Sequence, residues 1–166
     1  NVCKSPYSIT VNISPLFFMD HDFINKIDTI ISEVGIDSSY LGIEITETVA
    51  INDTEKAINT INELKNRKIK VYLDDFGKGY SSLNYLKHLP IDYLKIDKSF
   101  IDGINVNRID EEIISNIIYI CSLLGIKVIS EGIETLEQLD FIKAKSCFGY
   151  QGYLLSKPML IEDLNI

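Results

Sequence analysis

Short β-rich runs and longer stretches of helical period alternate through the chain in six cycles, and this alternation restricts the possible folds more than any single residue does. Ser8–Ile13 reads as a strand. The helix after it, with Asp20 as its cap, repeats apolar residues at Phe23, Ile24, Ile27, Ile30, Ile31 and Val34 and ends at Gly35. Leu41–Ile45 is the second strand. Asn52 or Asp53 caps a helix with Ala57, Ile58, Ile61 and Leu64 on one face, and Lys70–Leu73 returns to extended structure. A short helix over Leu83–Leu89 stops at Pro90, Tyr93–Ile96 is the fourth strand, and the longest helix runs over Ile109–Leu124 to Gly125. Val128–Ser130 and the neighbourhood of Phe148–Tyr153 supply two more strands, separated by a helix over Leu136–Ala144 that Thr135 can cap.

Strands alternating with helices imply parallel β-α-β units, hence an α/β fold, either an open doubly wound sheet or a barrel. Nearly every strand ends in an unusual polar residue: Asn12, Glu44 with Glu47, Asp74 with Asp75, Lys95 with Asp97, Glu131 with Glu134, and Gln151. An open sheet places ligand mainly at one switch point, whereas a barrel brings many strand ends round a common centre, which suits polar groups spread over six strands. A full eight-stranded barrel needs about 200 residues or more. The reading is therefore one domain folded as an incomplete TIM-like (β/α) barrel with about six strands present.

Charge narrows the partners. The formal net charge is −8, which argues against holding DNA or an anionic membrane by bulk charge. A phosphate substrate would need cations in between. Cys3, Cys121 and Cys147 show neither disulfide nor zinc spacing and read as reduced structural thiols. The most apolar stretch, Ile113–Ile126, is broken by Ser115, Asn116 and Ser122, short of the roughly 18 uninterrupted residues of a membrane span. A cytoplasmic location is the expectation, with any membrane anchor of a parent protein lying outside this segment.

Adjacent residues on a regular strand point to opposite faces, so Asp74 and Asp75 meet at one site only if the strand is ending, as Phe76-Gly77 suggests. Two close carboxylates repel, and a divalent cation relieves the repulsion. With Glu44, Glu131 and Asn12 nearby and only His21 and His88 as imidazoles, both expected at the surface, the donors are almost all oxygen. That suits Mg2+ or Mn2+. Two such ions roughly 3.5–4 Å apart can activate water and stabilise an in-line displacement at phosphorus, so phosphodiester hydrolysis is the natural reaction class. Lys95 would orient water or neutralise phosphate charge. Taken singly, each residue has a plainer reading, as a turn, a helix cap or an ion pair, and only their joint placement carries the chemistry. Gly77–Ser82 lacks the order of a nucleotide-cradling loop and reads as a glycine-hinged loop.

Six segments, in this order, resemble EAL domains, bacterial phosphodiesterases that open cyclic di-GMP to linear pGpG: Val11-Asn-Ile-Ser14, Glu44-Ile-Thr-Glu47, Asp74–Leu83, Leu94-Lys-Ile-Asp97, Ser130-Glu-Gly-Ile-Glu134, and Gln151-Gly-Tyr153 with Ser156-Lys-Pro158. The resemblance implies that Asn12, Glu44 and Asp74 are ligands of a first metal, with Asp74 bridging and Asp75 on the second. It makes Glu131 a further ligand or the proton acceptor, Lys95 the lysine that positions water, and Gln151 the glutamine near the phosphate. Glu47 resembles the glutamate that steadies the loop after Asp75, and Asp97 and Glu134 match further acids of the site. It also implies that the complete domain dimerises. Lys78 stands where the pattern commonly has Thr. The Glu-Ala-Leu motif itself, with one first-metal ligand and an arginine expected at the nucleotide, is not present before Asn12, so residues 1–166 read as the C-terminal part of a single EAL domain. Two functional classes follow: a cyclic di-GMP phosphodiesterase, expected to be impaired as this segment alone, or a module that binds the nucleotide without cleaving it. The presence of Asp74, Asp75, Lys95 and Glu131 favours an enzymatic parent. A sugar-phosphate barrel enzyme of another family explains the motifs poorly.

Overall fold

In a computed structural model of the chain, residues 7–77 and 83–163 are described. Six parallel strands form one sheet in the order β1 (Ile9–Asn12), β2 (Leu41–Thr46), β3 (Lys70–Phe76), β4 (Tyr93–Ile96), β5 (Lys127–Ser130) and β6 (Gly149–Tyr150). Each strand pairs with its sequence neighbours, so the sheet winds one way as a barrel wall does. Among the described residues eight α-helices connect or flank the strands: α1 (Pro15–Phe18), α2 (Phe23–Val34), α3 (Glu47–Asn52), α4 (Thr54–Asn66), α5 (Leu83–Leu86), α6 (Lys98–Ile101), α7 (Arg108–Leu124) and α8 (Leu136–Ala144). Among the described residues β1 and β6 are open edges, giving a TIM-like barrel that is not closed.

The period of two along each strand separates two environments. Ile43, Ile45, Val71, Leu73, Leu94, Ile96 and Val128 are buried beneath the helices, against Ile61, Leu64, Ile114, Cys121 and Ile142. Alternate positions carry Glu44, Tyr72, Asp74, Tyr93 and Lys95. The edge strand β1 escapes this cover: Ile9 and Val11 are 58% and 42% exposed.

Local caps define most boundaries as the sequence predicts. Gly35 and Gly125 end α2 and α7 in left-handed conformations, and Thr135 with Gln138 forms a capping box on α8. Asp53, rather than Asn52, caps α4, because the unanticipated helix α3 already occupies Asn52. Asp20 does not cap α2. Asp22 holds that position, and Asp20 instead accepts the Asp22 N–H and pairs with Lys26. The last strand is shorter than Phe148–Tyr153, pairing only at Gly149–Tyr150. His21 and His88 are exposed. Cys121 and Cys147 are free thiols. Cys3, Lys78 and most of the loop over 77–82 lie outside the described residues.

Candidate active site

Because all six strands are parallel, their carboxyl ends lie at one face. Asn12 closes β1 in register with Glu44 on β2. Glu131 and Gln151 follow β5 and β6 directly, each tied into the wall through its backbone: Glu131 N donates to Ile96 O and Gln151 N to Ser130 O.

Asp74 and Asp75 come together in a way the sequence reading did not anticipate. The strand does not end at them. β3 continues to Phe76, and the pairing with β4 slips between Leu73 and Phe76. Asp75 absorbs this irregularity with φ +57°, so the extra residue turns the second carboxylate toward the same mouth as the first. The Asp75 N–H donates to Asp74 Oδ1 at 2.9 Å, fixing the first carboxylate in turn.

Lys95 is the hub. Its Nζ lies 2.7 Å from Glu44 Oε2, 2.7 Å from Glu131 Oε1 and 3.2 Å from Asp74 Oδ1, and the residue is only 7% exposed. Burial alone would lower its pKa. The Glu131 and Glu44 carboxylates, with Asp74, outweigh burial and hold the ammonium charged well above its ordinary value. Burial raises the pKa of Glu131, Lys95 opposes this, and Asp74 and Glu44 add to the rise. Gln151 Nε2 donates to Glu131 Oε1 at 2.7 Å, so that oxygen is shared between the amide and the ammonium.

Ligand atoms of Asp74, Asp75 and Glu131 lie within 4.8 Å of one another. All three are half-buried carboxylates, a donor set that fits a hard divalent ion. Glu44 joins this group through Lys95, whereas Asn12 sits at the exposed edge strand.

The other expected residues lie around this centre. Glu47 is buried as the first residue of α3, and its Oε2 accepts the Gly77 N–H at 3.3 Å, reaching the segment after Asp75. Gly77 needs to be glycine: its φ is +105°, and a Cβ there would lie 2.0 Å from the Phe100 ring. Asp97 is buried and caps α6 by accepting the Ser99 N–H. Glu134 lies at the rim, paired with Lys98 at 3.3 Å.

Two residues given no role from sequence stand beside the site. Tyr85 packs near Glu47, and burial with that carboxylate drives its phenol far above the ordinary range. Lys98 lines a groove of about 670 Å3 with Glu131, Gln151 and Tyr153. Its stem lies over Gly132, where φ is +74° and a Cβ would come within 2.4 Å of Lys98 Cγ. Position offered a signal for Lys98, since the residue after a strand-end cap starts a helix at the mouth. For Tyr85 none existed.

Fold and site together define an incomplete α/β barrel whose candidate site lies at the carboxyl ends of its strands. The chain belongs to the EAL domain family, whose model matches residues 1–158. It is 35% identical over 158 residues to the bifunctional diguanylate cyclase/cyclic di-GMP phosphodiesterase MucR of Pseudomonas aeruginosa, covering 95% of this chain and 23% of that protein. It is also 35% identical over 153 residues to the cyclic di-GMP phosphodiesterase PdeL of Escherichia coli, covering 92% of this chain and 42% of that protein. The chain thus spans less than half the length of these relatives. Its fold superposes on a P. aeruginosa MucR phosphodiesterase in complex with c-di-GMP with a TM-score of 0.88 at 35% identity, covering 93% of this chain and 63% of that one. A manganese and c-di-GMP complex of Klebsiella pneumoniae BlrP1 gives 0.81 at 27% identity over 89% and 38%. No helix among the described residues is long and apolar enough to cross a membrane.

Proposed function

We propose that residues 1–166 are the C-terminal part of a single EAL domain that hydrolyses cyclic di-GMP to linear pGpG with Mg2+ or Mn2+. The observation that carries this reading is the convergence of Glu44, Asp74 and Glu131 on Lys95, with Asp75 turned by the bulge toward Asp74 and Glu131. Asn12, Glu44, Asp74, Asp75 and Glu131 would hold the metal. When bound, such ions supply a water nucleophile at neutral pH and charge stabilisation at phosphorus.

The remaining work falls to the chain's own side chains. In the hydrolysis, water's oxygen forms a bond to phosphorus, one phosphorus–oxygen ester bond breaks, and the released sugar oxygen takes a proton. Lys95, held charged by its three acids, stabilises the negative charge that grows on the phosphoryl oxygens. Where Glu131 is not itself a ligand, it accepts the proton that water gives up, oriented by Gln151. Glu47 steadies the segment at Gly77, Asp97 fixes the start of α6 and Glu134 holds Lys98 at the rim.

The chain holds no Glu-Ala-Leu motif, so turnover by these residues alone is expected to be slow. A cytoplasmic nucleotide substrate, with no contact to DNA or membrane by this segment, agrees with the net charge of −8. The uncovered Ile9 and Val11 on the edge strand favour self-association of the chain. Chromatographic detection of pGpG from cyclic di-GMP at saturating Mn2+, on the chain and on a preparation spanning a complete domain, tests the assignment. Release by the complete domain only is the expected result. Nucleotide binding without product from either would identify a binding module instead.

A further inference from the structure

We propose that the base of β4, on the face opposite the carboxylates, forms a second ligand site that takes a compact phosphate-bearing anion. A cavity of about 420 Å3 opens there, between the end of α4, the α5–β4 connection and the end of α7. In a chain of net charge −8, Lys65, Lys70, Lys87 and Lys127 all line this one cavity, against a single acid, Asp92.

That acid is already committed. Asp92 Oδ2 accepts the Val71 N–H at 3.0 Å, while Oδ1 lies 3.3 Å from Lys70 and 3.9 Å from Lys65. One carboxylate offsets one ammonium, so a surplus of positive charge remains. Lys65 also donates to Pro90 O, and its place in the last turn of α4 complements that helix's negative end. No such account covers Lys127 or Lys87. The Lys127 ammonium has no ion-pair partner among the described residues and lies over aromatic rings, its Nζ 4.4 Å from the Phe148 centroid and 5.5 Å from that of Tyr93. Lys87 has no ion-pair or hydrogen-bond partner among them.

The ligand class follows from these walls. Among the described residues Tyr93 is the one aromatic residue of the lining; one face of its ring is stacked on Tyr72 at 4.3 Å, and Lys127 stands 5.5 Å from its centroid. Clustered ammonium groups on flexible stems suit a small, highly charged anion. The lining runs from Lys65 to Lys127, within the central β3, β4 and β5 units, and touches the edge strand β6 only through the contact of Lys127 with Phe148. It is also independent of the acids at the other mouth.

Amide NMR of the metal-free chain, titrated with inorganic pyrophosphate at constant ionic strength, tests this. Saturable shifts are expected at Lys70, Asp92, Gly125 and Ile126, with Glu131 and Gln151 unmoved. Lys70→Gln with Lys127→Gln removes two of the four charges and should weaken binding by about tenfold or more. Lys87→Gln, at an exposed position that the fold does not need, should weaken it by a smaller factor. Lys143→Gln with Lys145→Gln, exposed lysines elsewhere, should leave it unchanged. Non-saturating shifts, shifts spread over all surface lysines, shifts at the carboxylate mouth, or affinity unaltered by Lys87→Gln and the Lys70/Lys127 pair would each overturn the proposal.

Discussion

Lys95 Nζ and Glu131 Oε1 stand 2.7 Å apart, the lysine buried and the acid half-buried, and the same Glu131 oxygen also accepts from Gln151. A charge-assisted contact of this kind fixes both side chains. In a complete domain, Lys95→Ala should lower kcat by about a hundredfold and change KM far less, because the lost ammonium is felt most as charge develops. Steady-state kinetics checks this. A larger KM at unchanged kcat would mean that Lys95 only captures phosphate.

Asp74 lies against both Lys95 and Asp75, so its charge serves the whole cluster. Asp74→Asn keeps the shape and removes the charge. Titration calorimetry with Mn2+ should show at least about tenfold weaker binding than in the unaltered chain, since a hard cation needs the anionic oxygen. Equal affinities would exclude Asp74 as a ligand.

Gly77→Ala should destabilise the chain by more than about 1 kcal/mol, since Ala resists positive φ and its methyl would meet Phe100. The displaced segment would carry its N–H away from Glu47. Urea unfolding measures the loss, and Mn2+ affinity should fall with it if the segment after Asp75 shapes the site.

Acid stability should depend on Asp20. The Asp22 N–H and then Lys26 hold its carboxyl down at about 2, below the ordinary 3.8. A depressed carboxyl stabilises the fold above its ordinary value, and the contribution fades as pH falls from there toward about 2. Thermal melts of the chain and of Asp20→Asn should therefore differ most above about pH 4 and converge in stronger acid. A gap that widened on acidification would reverse this sign.

Leu73→Ala, at a fully buried position between β2 and β4, should cost about 3 kcal/mol in urea unfolding, through lost burial and the cavity left behind. A loss under about 1 kcal/mol would mean that the helix-side core is loosely packed there.

The sequence by itself determined the alternation of elements, the helix ends at Gly35 and Gly125, the Thr135 cap and the residue type at each strand end. Each of these is set by side chains within a few residues, so a local pattern carries it. The start of α2 is less legible because two acids, Asp20 and Asp22, both stand before it: Asp22 occupies the N-cap position, while Asp20 accepts the Asp22 N–H and pairs with Lys26. Only the tertiary structure decided how Asp74 and Asp75 share a mouth, because the bulge exists only where β3 pairs with β4 out of step. It also decided that Lys95 reaches Glu44, 51 residues away in the chain, and that four lysines meet beneath β4. Those contacts depend on the register of separate strands and the packing of helices behind them, which no stretch of local sequence contains.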